Sequence, residues 1–102
     1  MNDEQLKSAY DFRDFHIPNY MMGAIERYID HRIPPGHFLT AVITNNLSDA
    51  VAYADDENIR NIPAFVGYFY NVAPSLCWGS RKAMNKWLAG KERDYFDAEG
   101  TE

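Results

Sequence analysis

The side chains best suited to covalent chemistry are one cysteine and three histidines. Cys77 is the sole thiol of the chain, and the histidines stand at positions 16, 31 and 37. A thiol becomes nucleophilic when a nearby base or a helix N-terminus favours its thiolate. The neighbours of Cys77 are Leu76 and Trp78, and a cysteine between apolar residues usually packs as a small core residue. We therefore expect a buried, inert Cys77 and no enzymatic activity; a small enzyme that uses Cys77 as its nucleophile is the alternative.

The same residues have no spacing that would hold a metal ion. Zinc sites pair their ligands at short offsets, and positions 16, 31, 37 and 77 match no such pair. The acidic run at 55–58 lacks the alternating oxygen donors and central glycine of a calcium loop. Gly36 and Gly79 stand too far apart to form a glycine-rich phosphate loop. The sequence predicts neither a metal nor a cofactor.

Aromatic side chains are the remaining candidates for recognition. Phe, Trp and Tyr make up 15% of the chain, which is more than one small core normally takes. Such residues are favoured at protein interfaces, so some of them are expected at the surface. The candidate binding residues are His37, Phe38, Tyr70, Trp78 and Trp87. Packing that closes an end of a helical bundle is the alternative role, above all for Trp78.

Helices must position these residues, because every strong apolar period in the sequence is close to 3.6 residues. The pattern predicts a first helix over residues 3–15, which ends ahead of Pro18. Apolar residues spaced by three and four then mark further helices; these begin near Asn19, Phe38, Ser48, Pro63 and Ser80. Strand signals are weak, since no hairpin dipeptide separates two alternating runs. The predicted fold class is all-α: a compact bundle of about five to six short helices in a single domain.

Three local features refine this prediction. Asn19 and Ser48 are the expected N-caps of the second and fourth helices. Gly23 lies inside the second helix, and a glycine there predicts a close helix crossing. The polar run at 55–58 either ends the fourth helix or begins the next one. The last helix is expected to end near Gly90.

The charge distribution divides the chain into a helical domain, residues 1–90, and an acidic, flexible tail, residues 91–102. The formal charge is −5, and the tail holds −3 of it. An acidic protein is a poor sequence-independent ligand for nucleic acid, although the basic residues around Trp87 keep open a helical module that contacts nucleic acid. The pair Tyr95-Phe96 is the one feature of the tail that would let it dock on the domain.

The start of the chain and its hydropathy predict where the protein acts. No run approaches the roughly 18 apolar residues of a membrane span. The acidic first residues lack the basic region and apolar run of a secretory signal. We expect a cytoplasmic protein without a membrane partner.

Several stretches resemble a family of small uncharacterised proteins encoded by bacteriophages and prophages. They are IPPGHFLTAV at 33–42, NNL at 45–47, ADDEN at 54–58 and YNVAPSLCWGS at 70–80. The resemblance covers about residues 15–88 and brings no activity that can be assigned to a residue. It implies a small protein that acts by binding a host or phage protein, such as a component of host defence. We therefore expect a protein-interaction module that occupies a surface of a protein partner; inhibition of that partner and a homodimer are both compatible with this expectation.

Overall fold

A computed structural model describes residues 10–90 of the chain. Within this range a two-stranded hairpin precedes six α-helices and one 3-10 helix. The elements are β1 (Tyr10–Phe12), β2 (Phe15–Ile17), α1 (Asn19–His31), α2 (His37–Ile43), α3 (Leu47–Tyr53), α4 (Asp56–Arg60), α5 (Ile62–Asn71), the 3-10 helix Ser75–Cys77 and α6 (Arg81–Ala89). The predicted compact, mostly helical single domain is confirmed. No helix in this range is long and apolar enough to cross a membrane.

The hydrophobic core is built around large side chains of α1 and α5. Tyr28, Phe65 and Phe69 have no exposed surface. The apolar face of α2 closes one side, and α2 also packs against α3. Both strands of the hairpin pack against α5. α5 is therefore the central element, as expected of a helix whose residues are mostly apolar.

The hairpin replaces the end of the predicted first helix. Tyr10 pairs with Ile17 and Phe12 with Phe15 in antiparallel register. Arg13 takes a left-handed conformation, φ 56°, which allows the chain to reverse within two residues. The helix prediction is wrong for residues 10–15, and its part over residues 3–9 lies outside the described range.

Contacts with α5 explain why these residues form strands. Tyr10 and Phe12 lie two positions apart, so both point to the same face of the hairpin. The Tyr10 ring meets the Tyr68 ring edge-on, with 5.4 Å between centroids. Phe12 covers Gly67, where a Cβ atom would come within 2.9 Å of its ring. The alternation spans too few residues to be recognised in the sequence, and both strands pack against α5.

A neighbouring element packs closely against Gly67, whereas the close approach was predicted at Gly23. A Cβ atom at Gly23 would meet only the Arg27 side chain, whose nearest atom would lie at 3.2 Å. Nothing else in residues 10–90 comes within 4 Å of that position, so the described part of the chain does not contain the predicted helix crossing. Gly67 permits the approach of a strand instead of a helix, which helical periodicity does not reveal.

The helix starts follow local capping chemistry, with two corrections. Asn46, and not Ser48, caps α3, because its Oδ1 accepts a hydrogen bond from the Asp49 N–H at 3.2 Å. Pro18 takes the N-cap position of α1, which makes Asn19 the first helical residue. The polar run at 55–58 begins a helix, since the Asp55 side chain accepts from the Asn58 N–H at 2.7 Å. Pro18 has φ −60° and ψ 143°, and it is this ψ that makes its backbone extended.

Candidate functional site

A groove of about 430 Å³ lies between the C-terminal end of α1, the 3-10 helix and α6. Its volume falls in the range of protein binding pockets. Among the described residues that line it, three are cations and none is acidic. The lining residues are Arg32, Ser75, Leu76, Ser80, Lys82, Ala83, Lys86, Trp87 and Gly90.

α6 brings two basic and two apolar residues to one side of the groove. Lys82 and Lys86 are four residues apart, as are Ala83 and Trp87, and residues at this spacing share a helix face. The helix begins at Ser80, whose Oγ accepts a hydrogen bond from the Ala83 N–H at 3.0 Å. The predicted Ser80 cap is confirmed, and it determines where the basic face begins.

A stacked pair, Arg32 and Trp87, forms one wall of the groove. The Arg32 guanidinium lies 3.8 Å from the centroid of the Trp87 ring, within cation–π range. Arg32 ends α1 in a left-handed conformation, and its backbone N–H donates to the Tyr28 carbonyl at 3.1 Å. The Trp87 Nε1–H donates to the same carbonyl, also at 3.1 Å. Both members of the pair are therefore held from the end of α1.

The 3-10 helix supplies the apolar side of the groove. The Tyr28 hydroxyl donates to the Cys77 carbonyl at 2.6 Å, which ties this segment to α1. Leu76, the preceding residue, is 76% exposed and lines the groove. An exposed leucine beside a tryptophan and a row of cations is an arrangement that can bind an apolar side chain together with carboxylates.

Cys77 itself points into the core. It has no exposed surface, and burial raises the pKa of its thiol to about 11, so the thiol is protonated at neutral pH. The predicted burial is confirmed. Two of the three histidines have contacts elsewhere: His16 Nε2 lies 3.4 Å from Glu57 Oε2, and His37 stacks on another ring. In residues 10–90 no cluster of His, Cys, Asp or Glu has the geometry of a metal site.

The structure places the five predicted binding residues at four separate locations. Trp87 lies in the groove. His37 is exposed and stacks on Tyr53, with 4.9 Å between the ring centroids. Phe38 is only 7% exposed and meets a core ring edge-on, because the apolar face of α2 turns inward; it is a core residue and not a surface contact. Tyr70 and Trp78 lie together, with ring centroids 6.5 Å apart.

Tyr70 and the half-buried Trp78 belong to a second surface, the apolar strip, which also contains the exposed residues Leu47 and Val66. Val66 and Tyr70 are four residues apart on α5, and Leu47 lines a shallow hollow together with Val66. Leu47 is 69% exposed and Tyr70 is 76% exposed. The four residues of the strip carry no charge, whereas the groove combines apolar contact with charge. We therefore take the groove as the candidate functional site.

Arg32, Leu76, Lys82 and Lys86 were not among the predicted binding residues. Sequence contains a signal for the two lysines, because they flank Ala83 and Trp87 at helical spacing. It contains none for Arg32 or Leu76, which belong to other elements and reach the groove through the fold. No family model, curated protein or solved structure matches this chain, so its proposed function rests on the geometry of the groove.

Proposed function

We propose that this protein is a protein-interaction module whose groove binds an acidic segment of a partner protein. The observation that carries the proposal is the Arg32–Trp87 stack beside Lys82 and Lys86. Tryptophan and arginine are the residues most often found at the energetic centre of protein interfaces. The bound segment is expected to carry one large apolar side chain, which would lie against Leu76 and Trp87.

Charge favours an acidic partner. Within residues 10–90, no carboxylate forms an ion pair with Lys82 or Lys86. Exposed cations without a fixed counter-charge attract carboxylates, increase the association rate and discriminate against basic partners. The apolar lining then adds affinity that does not depend on salt.

The composition of the lining favours a protein over a nucleic acid. Binding to nucleic acid depends on many phosphate contacts, and the lining has three cations in a chain of formal charge −5. Leu76 and Ala83 also present aliphatic groups, which suit an apolar side chain better than a stacked base. The resemblance to phage-encoded proteins directs the proposal to a host or phage protein, whose surface would be blocked when the groove is occupied.

The proposal is tested with a fluorescent hexapeptide that has five acidic residues and one central Phe. The double variant Lys82→Glu/Lys86→Glu is expected to bind it at least about 10-fold more weakly, or about 1.4 kcal/mol. A matched peptide with Ala in place of Phe should also bind less tightly. Affinity should fall as salt is raised, because exposed charges are screened within about 10 Å at 0.1 M ionic strength.

Arg81 provides the matched control for charge. It lies on the same helix and is exposed, but it does not line the groove. Arg81→Glu changes one charge of the same sign and is expected to alter peptide affinity much less than Lys82→Glu. Equal losses for these two single variants would mean that net charge alone drives binding. Tighter binding of a single-stranded oligonucleotide than of the peptide would contradict the proposal in favour of a nucleic-acid ligand.

A further inference from the structure

The groove lies where the described part of the chain ends. Gly90 is the last described residue and lines the groove, and the chain continues through residues 91–102. Any segment that follows Gly90 therefore starts at the binding site and does not have to cross the domain to reach it.

The residues that follow have the chemistry that the proposed function requires of a partner. Residues 94–102 contain four acidic residues and no basic one, and their first four are Asp94, Tyr95, Phe96 and Asp97. This sequence places two adjacent aromatic side chains between two carboxylates. The groove has the complementary set of three cations around an apolar lining.

The distances permit this segment to fold back along the groove. Along α6, Ser80 and Gly90 are ten residues apart, which corresponds to about 15 Å at 1.5 Å per helical residue. Tyr95 and Phe96 follow Gly90 by five and six residues, and an extended chain of that length reaches about 17–21 Å. Either ring is therefore within reach of the full length of the α6 side of the groove.

We infer that residues 94–97 dock in the groove of their own chain and compete with the partner protein. One aromatic ring of the segment lies against Leu76 and Trp87, and its carboxylates face Lys82 and Lys86. The inference rests on the proposed function, because it assigns to that same groove a built-in competitor. A partner then binds only when its own segment displaces residues 94–97.

Residues 94–97 are covalently linked to the domain, so even a weak contact is sufficient for them to occupy the groove. A short flexible link gives an effective concentration in the millimolar range. At about 1 mM, a segment whose dissociation constant as a separate peptide is only about 0.25 mM would then occupy the groove for most of the time. The docked segment reduces the fraction of molecules with an unoccupied groove by about 5-fold. Removing the contact should therefore strengthen binding of an external peptide by the same factor.

The test uses the full chain with Tyr95→Ser/Phe96→Ser, which removes both rings and keeps charge and length. This variant is expected to bind the acidic Phe hexapeptide about 5-fold more tightly than the unmodified protein. The two tryptophans supply a second readout, because each gives one indole N–H signal in NMR spectra. In the absence of peptide, the Trp87 signal should shift between the two proteins, while Trp78, which does not line the groove, should not.

Tyr70→Ser is the matched control, since it removes an exposed aromatic ring outside the groove. It should leave peptide affinity and the Trp87 signal unchanged. Unchanged affinity and an unchanged Trp87 signal in Tyr95→Ser/Phe96→Ser would overturn the inference, although peptide binding would still support the proposed function. Absence of peptide binding by both proteins would refute the proposed function, and the Trp87 signal would still report on the segment. A Trp87 shift that disappears on dilution, together with a dimer mass, would replace docking within one chain by docking between two copies.

Discussion

At the scale of single residues, Tyr28 connects three segments around the groove. Its hydroxyl donates to the Cys77 carbonyl, and its own carbonyl accepts from Arg32 and from Trp87. Burial raises the pKa of the Tyr28 hydroxyl, which therefore stays protonated and able to donate over the ordinary pH range. A core residue thus positions the groove without lining it. The stack of Arg32 on Trp87 depends on this backbone acceptor.

Cys77 makes the stability of the fold depend on pH in the alkaline range. Its thiol pKa rises from 9.0 to about 11 because burial disfavours the thiolate. Above pH 9 the unfolded chain loses the thiol proton, whereas the folded chain keeps it until about pH 11. The free energy of unfolding should therefore be constant below pH 9 for this group, and fall by about 3 kcal/mol as pH rises through the window. Urea denaturation at several pH values measures this decrease.

Cys77→Ala separates this effect from tyrosine ionisation. The variant should lose about 1–2 kcal/mol at neutral pH and show a shallower decrease between pH 9 and 11 than the unmodified protein. Thiol labelling should be far slower in the folded protein than in denaturant. Equal labelling rates at neutral pH would show that the thiol is accessible, and would favour the nucleophile alternative.

At the scale of elements, α5 is packed on more than one side. Phe65 and Phe69 are four residues apart and fill the core. Gly67 lies between them in sequence and is covered by Phe12 of the hairpin. Val66 and Tyr70 remain exposed and form part of the apolar strip. The absence of a side chain at Gly67 is what lets a strand lie against this helix.

Gly67→Ala and Gly23→Ala form a matched pair that tests the hairpin contact. A Cβ at Gly67 would lie 2.9 Å from the Phe12 ring, so overpacking should cost about 1–3 kcal/mol despite the higher helix propensity of alanine. At Gly23 only the flexible Arg27 side chain is near, so alanine should be neutral or stabilise by up to about 1 kcal/mol. Thermal unfolding of both variants measures the difference.

A double variant checks that the cost at Gly67 arises from the clash. In the background of Phe12→Ala, the substitution Gly67→Ala should no longer destabilise, because the ring that it meets is gone. A loss that persists in this background would place the cause within α5 itself.

At the scale of the whole molecule, buried polar groups hold the hairpin to the helices. Asn61 is 6% exposed and lies between α4 and α5. Its Oδ1 accepts from the His16 N–H at 2.9 Å, and its Nδ2 donates to the Glu57 carbonyl at 2.9 Å. The contact joins residues 45 positions apart in the chain. Asn71 makes a second, exposed connection, 3.4 Å from its Nδ2 to the Tyr10 hydroxyl.

We expect alanine substitution to lower the free energy of unfolding by different amounts at Asn61 and Asn71. Asn61→Ala leaves two backbone groups without their side-chain partner in a partly buried site and should cost about 1–3 kcal/mol. Asn71→Ala removes a long, exposed hydrogen bond and should change stability by less than about 0.5 kcal/mol. Denaturant unfolding compares the two variants. Similar losses would mean that the hairpin is not held mainly at Asn61.

Local features of the sequence determined most of the helices. Helical spacing of apolar residues, Pro63 in the first turn of α5 and the Ser80 cap act over a few residues, so they can be recognised without the fold. The burial of Cys77 followed in the same way from its apolar neighbours. Ser48 and Asn46 differ by two positions, and only backbone geometry decided which of them caps α3.

Tertiary structure alone decided the hairpin and the groove, because both depend on residues far apart in the chain. Phe12 and Gly67 meet although they lie far apart in the chain, and no short-range pattern records their contact. The basic face of α6 was visible in the sequence as Lys82 and Lys86 beside Trp87, but a helix face is not yet a site. Two tertiary contacts turn this face into a groove. The left-handed end of α1 places Arg32 over the Trp87 indole, and the Tyr28 hydroxyl binds the 3-10 helix that carries Leu76.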